Sequence, residues 1–202
     1  MKRTEALVRK LVITLWAVAL LALWSMQIHA DIGRNAPAFR AEDQDGRTVK
    51  LSDYTGKIVV LEWLNPECPF VRRHAEEGTM RTLAQRYRAK GVVWLGVNTS
   101  RSSDAAANRA WALKNKLDYP ILDDASSAIA RAYGAKATPH MFVIDKAGKL
   151  AYGGAIDNDR DGTLRQRLHH RRAQVVAVAT GQQPGQPDEP GLMLRHRFNV
   201  DQ

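Results

Sequence analysis

The chain has 202 residues, of which 45% are hydrophobic, and a formal net charge of +9. This length and composition suffice for one domain with a hydrophobic core and additional segments. The basic residues form no run with interleaved aromatic residues, which argues against a nucleic-acid-binding protein. Cys68 is the single cysteine, which excludes an internal disulfide and a zinc site built on several thiolates.

The first thirty residues have the layout of a secretory signal peptide. Basic residues precede an apolar run from Leu11 to Trp24, and a more polar stretch then ends at Ala30. The run is shorter than the roughly twenty residues that a membrane span needs. We therefore expect cleavage after Ala30 and a periplasmic or secreted protein. The alternative is an uncleaved segment that anchors the protein in the inner membrane.

A hairpin is predicted next, because Asp43-Gln44-Asp45-Gly46 separates two alternating segments, 39–42 and 48–51. The short apolar run Ile58–Leu61 then predicts the first buried strand.

Cys68 follows this strand and precedes a segment from about Val71 to Lys90 that has the pattern of a helix. Pro69 would occupy the first helical turn, where a missing N–H group costs nothing. Unpaired N–H groups at a helix start favour negative charge and lower the pKa of a thiol. Arg72 and Arg73 add positive charge within one turn. This setting favours a reactive cysteine over a structural one.

Strands and helices alternate after this point. The predicted helix buries Met80, Leu83, Ala84 and Tyr87. Further strands are expected at 92–97, 119–122 and 141–145, with a hairpin partner at 150–152. Two more helices are expected, one capped by Ser102-Ser103-Asp104 with a face of Ala107, Trp111 and Leu113 or Lys114, and one at 126–133. This order predicts an α/β sandwich around a mixed sheet.

Thr138-Pro139 stands directly before the strand at 141–145. Proline cannot donate to a strand ladder, so it must lie at the strand start or in a special turn. Since cis peptide bonds are essentially confined to proline, we expect the Thr138–Pro139 bond to be cis.

Four segments carry a family resemblance: Trp63-x-x-x-x-Cys68-Pro69-Phe70-Val71, 90–98, 133–135 and 138–145. Together they resemble the thioredoxin-like, three-layer α/β sandwich with a central mixed sheet. More narrowly, they resemble the redoxin group, also called the alkyl hydroperoxide reductase/thiol-specific antioxidant group. The resemblance covers roughly residues 32–156 and accompanies an N-terminal hairpin. It implies that Pro139 is cis and lies against a redox-active Cys68.

Three departures from the family pattern bear on the chemistry. Thioredoxins carry a second cysteine three positions after the first, where this chain has Val71. Typical peroxiredoxins carry Thr or Ser three positions before the cysteine that attacks peroxide, where this chain has Asn65. Related sequences often have another cysteine near the carboxyl end, and this chain has none.

The resulting hypothesis is a one-cysteine oxidoreductase without a cofactor. Cys68 would reduce a small peroxide or exchange with a disulfide partner protein, and an external thiol would complete the cycle. The residues assigned to catalysis are Cys68, Arg72, Thr138 and Pro139. Those assigned to substrate binding are Trp63, Asn65, Pro69, Phe70 and His140, although a core role for Trp63 is the alternative.

Two other functions remain open at this point. Cys68, His74 and His140 would form a copper or zinc site if the Thr138-Pro139 segment brings them together, although His74 has the pattern of an exposed residue. Sco-type copper chaperones share the fold but use two cysteines. Alternatively, the domain only binds a partner, because it has neither the second cysteine of thioredoxins nor the Thr or Ser of typical peroxiredoxins.

The segment 157–202 has no counterpart in the family pattern. It begins with a polar loop, 157–162, which lacks the full spacing of a calcium site. A basic helix is predicted from Leu164 to Arg172, including His169-His170. The proline- and glycine-rich stretch that follows predicts disorder. The domain organisation is therefore a signal peptide at 1–30, a redoxin domain at 31–156 and a C-terminal tail at 157–202.

Overall fold

The computed structural model describes residues 31–101 and 104–156. In chain order its elements are β1 (Arg40–Glu42), β2 (Thr48–Lys50), a short 3₁₀ helix (Leu51–Tyr54), β3 (Val59–Leu64), α1 (Pro69–Glu76), α2 (Thr79–Arg88), β4 (Val93–Asn98), α3 (Ala105–Asn115), β5 (Ile121–Asp123), α4 (Ala128–Tyr133), β6 (His140–Ile144) and β7 (Leu150–Gly154).

Five strands form one mixed sheet in the order β5-β4-β3-β6-β7. The strands β3, β4 and β5 run parallel, while β6 is antiparallel to both β3 and β7. All six residues of β3 are buried because both faces of this central strand are covered. The predicted α/β sandwich with a mixed sheet is therefore confirmed.

Helices cover both faces of the sheet. One face packs α4 and the N-terminal hairpin against Leu61, Trp63 and Phe142. The other face packs α2 against Val60 and Val143, while α1 and α3 cover Leu64 and Ile121. Cys68 lies at the edge of this last cluster, so the helix that carries it is held on a fully buried support.

The close fit of strands β3, β4 and β5 depends on one glycine. A Cβ atom at Gly96 would lie 2.9 Å from the Leu64 Cδ2 atom and 3.3 Å from the Ile121 Cγ1 atom. The shorter of these distances is one that real Cβ atoms essentially never show, so a side chain at Gly96 would displace residues of the cluster that supports Cys68.

The predicted N-terminal hairpin is present. Strand β1 pairs antiparallel with β2 through Arg40↔Lys50, Ala41↔Val49 and Glu42↔Thr48. The hairpin also covers the edge of the main sheet, because Asp43 bridges to Leu122 and the Gln44 Oε1 atom accepts a 2.7 Å hydrogen bond from the Ile121 N–H group. An open strand edge is thereby protected.

The single helix predicted after Cys68 is wrong. The structure has two helices, α1 and α2, separated at Gly78, which adopts a left-handed conformation with φ +68°. Glycine enters this region without the penalty that a Cβ atom brings. The predicted buried face, Met80 with Leu83, Ala84 and Tyr87, is confirmed on α2.

The predicted face of α3 is wrong in part: Trp111 packs against the cluster of Leu64 and Ile121 as predicted, but the other predicted residues do not face the core. The helix buries Asn108 and Ala112, whereas Ala107 is exposed and Leu113 is 73% exposed. The Asn108 Oδ1 atom accepts a 2.8 Å hydrogen bond from the Asn98 side chain, so a polar pair occupies the position expected for an apolar contact. Asp104 caps the helix by accepting from the Ala107 N–H group at 2.8 Å, while Ser102 and Ser103 lie outside the described residues.

No helix among the described residues is long and apolar enough to cross a membrane. The expected signal segment at 1–30, the polar loop at 157–162 and the basic helix with His169-His170 lie outside the described residues.

Candidate functional site

Cys68 is the N-cap residue of α1, at the junction between β3 and this helix. Its backbone is extended, with φ −70° and ψ 124°, and Pro69 begins the helix. The turn that delivers it is closed by the Cys68 N–H group, which donates to the Asn65 carbonyl at 3.0 Å. The Cys68 carbonyl accepts from the Arg72 N–H group at 3.0 Å, so the helix starts directly at the sulfur-bearing residue.

The loop before β6 lies against this sulfur. The Cys68 thiol donates to the Thr138 carbonyl oxygen, with an Sγ–O distance of 3.1 Å. The Thr138–Pro139 peptide bond is cis, as the resemblance implies. Cys68 therefore meets Thr138 and Pro139 at one place, although seventy positions separate Cys68 from Thr138 in the chain.

Opposing effects act on the pKa of the Cys68 thiol. Burial of the half-buried sulfur raises this pKa, but hydrogen bonds from the Thr138 side chain and from the Val71 and Phe70 N–H groups lower it. The Arg72 guanidinium lowers it further, and the net result is a pKa below the ordinary thiol value. More thiolate is present at neutral pH than for an ordinary cysteine, and the thiolate is the nucleophilic form.

Three predicted site residues form the exposed side of the first helical turns. Pro69, Phe70 and Arg72 are exposed, and Arg72 stands one turn after Cys68. The Arg73 guanidinium lies 5.8 Å from the centroid of the Phe70 ring, within cation–π range. An approaching molecule therefore meets an aromatic ring and positive charge beside the sulfur.

Two predicted site residues have mainly structural contacts. The Asn65 Oδ1 atom accepts a 2.8 Å hydrogen bond from the Glu67 N–H group, which stabilises the turn before Cys68. Trp63 is only 2% exposed and packs against Tyr133 and Phe142 at ring-centroid distances of 5.5 and 5.1 Å. A side chain this buried cannot meet a substrate from solvent, so the alternative core role of Trp63 is the one observed.

His140 and His74 do not form the suggested metal site with Cys68. His140 begins β6, its ring lies 4.5 Å from the Phe142 ring, and its Nδ1 atom accepts from the Lys136 N–H group at 3.3 Å. His74 was expected to be exposed but is buried, with its Nδ1 atom 3.5 Å from the Thr79 hydroxyl. Within residues 31–101 and 104–156, no three His, Cys, Asp or Glu side chains are grouped to hold a metal ion.

A buried carboxyl group beneath the site escaped the sequence-based prediction. Glu62 is 3% exposed, and its Oε2 atom accepts from the Trp94 indole at 2.9 Å and from the Tyr119 hydroxyl at 2.8 Å. Glu62 and Val71 both line a small cavity under α1. The signal was present, because a charged residue interrupts the apolar run from Ile58 to Leu64.

The ionisation of Glu62 should couple to stability. Burial raises its pKa, an effect that the hydrogen bonds from Trp94 and Tyr119 only partly offset. The folded protein therefore holds a proton that the unfolded chain releases at lower pH, and stability must fall as the pH rises from the unfolded to the folded pKa. The slope within that window is at most about 1.4 kcal/mol per pH unit.

We expect Glu62→Gln to remove this pH dependence while keeping an acceptor for Trp94 and Tyr119. The measurement is urea unfolding of the wild type and the variant between pH 4 and pH 8, with the exposed-residue variant Glu67→Gln as the control. The free energy of unfolding of the wild type should decline relative to Glu62→Gln as the pH rises. Parallel curves for the two proteins would contradict the raised pKa of Glu62.

Comparison with known proteins identifies the family of this chain. Residues 32–153 match the sequence profile of the AhpC/TSA family. A thiol-disulfide oxidoreductase ResA from Geobacillus thermodenitrificans is 31% identical over 156 residues, covering 74% of this chain and 87% of that protein. The chloroplastic peroxiredoxin Q of Triticum aestivum is 30% identical over 128 residues, covering 59% of this chain and 57% of that protein.

Solved structures support the thioredoxin-like fold. A hypothetical protein from Sinorhizobium meliloti superposes with a TM-score of 0.68 at 26% identity, covering 78% of this chain and 88% of that chain. A putative thiol:disulfide interchange protein DsbE from Chlorobium tepidum superposes with a TM-score of 0.55 at 28% identity, covering 62% and 86%. From the profile match and the ResA relative together, the chain belongs to the AhpC/TSA family.

Proposed function

We propose that this protein is an exported thiol–disulfide oxidoreductase that works with one cysteine, Cys68, and an external thiol. The observation that carries the proposal is the position of the sulfur, 3.1 Å from the carbonyl oxygen that precedes cis-Pro139. The lowered pKa of the thiol and its partial exposure support the same chemistry. The ResA relative and the DsbE structure are named for thiol–disulfide reactions, which adds further support.

The proposed cycle has three exchange steps. The Cys68 thiolate attacks one sulfur of a partner's disulfide, forming a mixed disulfide and releasing the partner's other sulfur as a thiolate. An external thiolate then attacks the Cys68 sulfur of the mixed disulfide and releases the partner's remaining sulfur as a thiolate, so the partner's disulfide is reduced. A second external thiolate attacks the disulfide between Cys68 and the first external thiol, which frees Cys68 as a thiolate and joins the two external thiols in a disulfide. Both of these thiols must come from outside, because Cys68 is the only cysteine in the chain.

Hydrogen bonding at the site suits both protonation states of the sulfur. The neutral thiol donates to the Thr138 carbonyl, and the thiolate accepts from the N–H groups at the start of α1. When Cys68 leaves a mixed disulfide, these donors stabilise it as a leaving thiolate. Thr138 is proposed as a positioning residue in this cycle, and Arg72 as a source of positive charge beside the sulfur.

Export is part of the proposal and rests on the amino-terminal sequence. The basic start, the apolar run to Trp24 and the small residue Ala30 are the features of a signal peptide. The redoxin domain would then occupy 31–156, followed by the tail at 157–202. Mass spectrometry of the protein isolated from the periplasm tests this, because a mature chain that begins at Asp31 is expected.

Peroxide reduction is the second candidate, favoured by the similarity to peroxiredoxin Q. In that reaction the Cys68 thiolate attacks a peroxide oxygen, forms a sulfenic acid and releases water or an alcohol. The position three residues before the cysteine is less favourable for this chemistry, since the Asn65 Oδ1 atom is already bound to the Glu67 N–H group.

The two candidates differ in the expected reaction rates. The purified protein is mixed with a neutral cysteine peptide that carries a 2-thiopyridyl leaving group, and separately with hydrogen peroxide and dimedone. We expect transfer of one peptide to Cys68, at least about tenfold faster than to free cysteine at the same pH, because thiolate is more abundant. We expect the peroxide reaction to stay within about tenfold of an ordinary thiol.

Each outcome assigns the function. A peroxide reaction that exceeds an ordinary thiol by about a thousandfold or more, equivalent to about 4 kcal/mol of barrier, with a trapped sulfenic acid, would replace exchange by peroxidase activity. If Cys68 reacts no faster than free cysteine with either reagent, the domain is a binding module and the proposed activity is wrong.

A further inference from the structure

The surface beside Cys68 combines exposed apolar area with positive charge. Phe70 is 43% exposed, and Pro69 and Arg72 are exposed next to it. The Arg73 guanidinium lies over the Phe70 ring at 5.8 Å. We call these four residues, Pro69, Phe70, Arg72 and Arg73, the cationic rim.

The helix that begins at the cysteine, α1, holds the cationic rim close to the sulfur. Arg72 lies four positions after Cys68, so the two side chains share one stripe of the helix. Arg72 forms no ion pair with any carboxylate in the described part of the chain, and its charge acts on the sulfur. The N–H groups at the start of α1, two of which donate to the sulfur, contribute charge of the same sign.

Carboxylates near the site do not cancel this field. Glu67 is exposed beside the sulfur, but Lys136 is exposed on the facing loop, two residues before Thr138. Glu76 and Glu77, at the end of α1, follow Arg72 and Arg73 by one turn and lie about 12 Å from Cys68 along the helix axis. At 0.1 M ionic strength the Debye length is about 10 Å, so the nearer Arg72 acts on the sulfur more strongly than these two carboxylates.

We propose that the cationic rim selects partner proteins whose exchanging cysteine lies beside acidic residues. This inference rests on the proposed exchange function and adds the chemistry of its partner. An aspartate or glutamate one or two positions from the partner cysteine would reach Arg72 or Arg73. The exposed Phe70 ring offers contact area for a side chain of the partner next to its cysteine. A thiol smaller than a peptide would not use this contact area.

Three synthetic peptides test the selection. Each contains one cysteine with a neutral 2-thiopyridyl leaving group, flanked on both sides by glutamate, glutamine or lysine. The Cys68 thiolate attacks the peptide sulfur, forms a Cys68–peptide disulfide and releases 2-thiopyridone, whose absorbance gives the rate. Each rate constant is divided by that of 2-mercaptoethanol with the same peptide, which corrects for intrinsic reactivity.

We expect the glutamate peptide to react at least about tenfold faster than the lysine peptide at low ionic strength, with a smaller ratio in high salt. Arg72→Gln with Arg73→Gln should bring this ratio close to one, whereas the corresponding double lysine variant should keep most of it. Phe70→Ala should slow all three peptides and leave the ratio unchanged. Lys57→Gln, at the other end of β3 and about 20 Å away, removes one distant positive charge and is the control for an effect of net charge.

The outcomes separate this inference from the proposed function. If all three peptides react rapidly with Cys68 at equal normalised rates, exchange stands and the selection is wrong. A preference for glutamate that survives the double glutamine variant also overturns the role of the cationic rim. If no peptide reacts faster than with free cysteine, the exchange function and the inference fail together.

Discussion

Cys68→Ser should abolish peptide transfer, with a loss of at least about a thousandfold in rate. A serine hydroxyl is almost entirely protonated at neutral pH and cannot form a disulfide, and the chain contains no other cysteine to take over. The measurement is the release of 2-thiopyridone together with the intact mass of the product. Serine is close in size to cysteine and lies at a helix N-cap, where it is a preferred residue, so the fold should persist.

A second variant separates loss of the nucleophile from loss of its environment. Thr138→Val removes the hydroxyl while the carbonyl that faces the sulfur remains. The Thr138 side chain helps to lower the pKa of Cys68, so the midpoint of the rate–pH profile should move to higher pH. Because thiolate increases with pH, the loss of rate should be largest below that midpoint and vanish above it. Peptide transfer to the Cys68→Ser variant, or a Thr138→Val variant whose rate–pH profile has the wild-type midpoint, would contradict this account of the site.

The features of the site that were predictable from the sequence depend on local covalent geometry. An apolar run followed by Cys68 and Pro69 specifies a strand, a cap and a helix start. Because proline has no N–H group to donate to a strand ladder, Thr138-Pro139 before a strand specifies a turn. The cis bond expected there is observed. The contact between Cys68 and Thr138 across seventy residues came only from the resemblance, because periodicity carries no information on which loops meet.

Most of the errors have tertiary causes. The exception is the break between α1 and α2, which occurs at Gly78 because this glycine adopts a left-handed conformation that ends a continuous helix. His74 and Asn108 are polar residues that the fold buries with polar partners, Thr79 and Asn98. Glu62 belongs to the same class, since its partners Trp94 and Tyr119 come from distant parts of the chain. Composition assigns such residues to the surface, and only three-dimensional pairing places them inside.

The absence of a second cysteine leads to a further test at Val71. This residue is 4% exposed, three positions after Cys68, and it lines the cavity that also contains Glu62. Residues three apart on a helix are neighbours, and Cys68 lies in the extended N-cap conformation, so its sulfur can turn toward position 71. Cysteine is a small apolar residue, and Val71→Cys should cost only about 1 kcal/mol in packing.

We expect Val71→Cys to let the protein resolve its own mixed disulfide without an external thiol. The new thiol should attack the Cys68–peptide disulfide, releasing the peptide as a thiol and leaving a disulfide between Cys68 and the introduced cysteine. Release should be at least about a hundredfold faster than with 1 mM external thiol, because an adjacent group acts at a high effective concentration. Mass spectrometry distinguishes this product, two hydrogens lighter than the reduced protein, from the persistent wild-type adduct.

The control variant is Ala75→Cys, which adds a thiol to the same cavity. Position 75 lies about 10 Å along the helix from Cys68, beyond disulfide reach, so this variant should not release the peptide. If the Cys68–peptide disulfide persists in Val71→Cys, the lack of a cysteine at position 71 is not the reason why the wild type needs an external thiol.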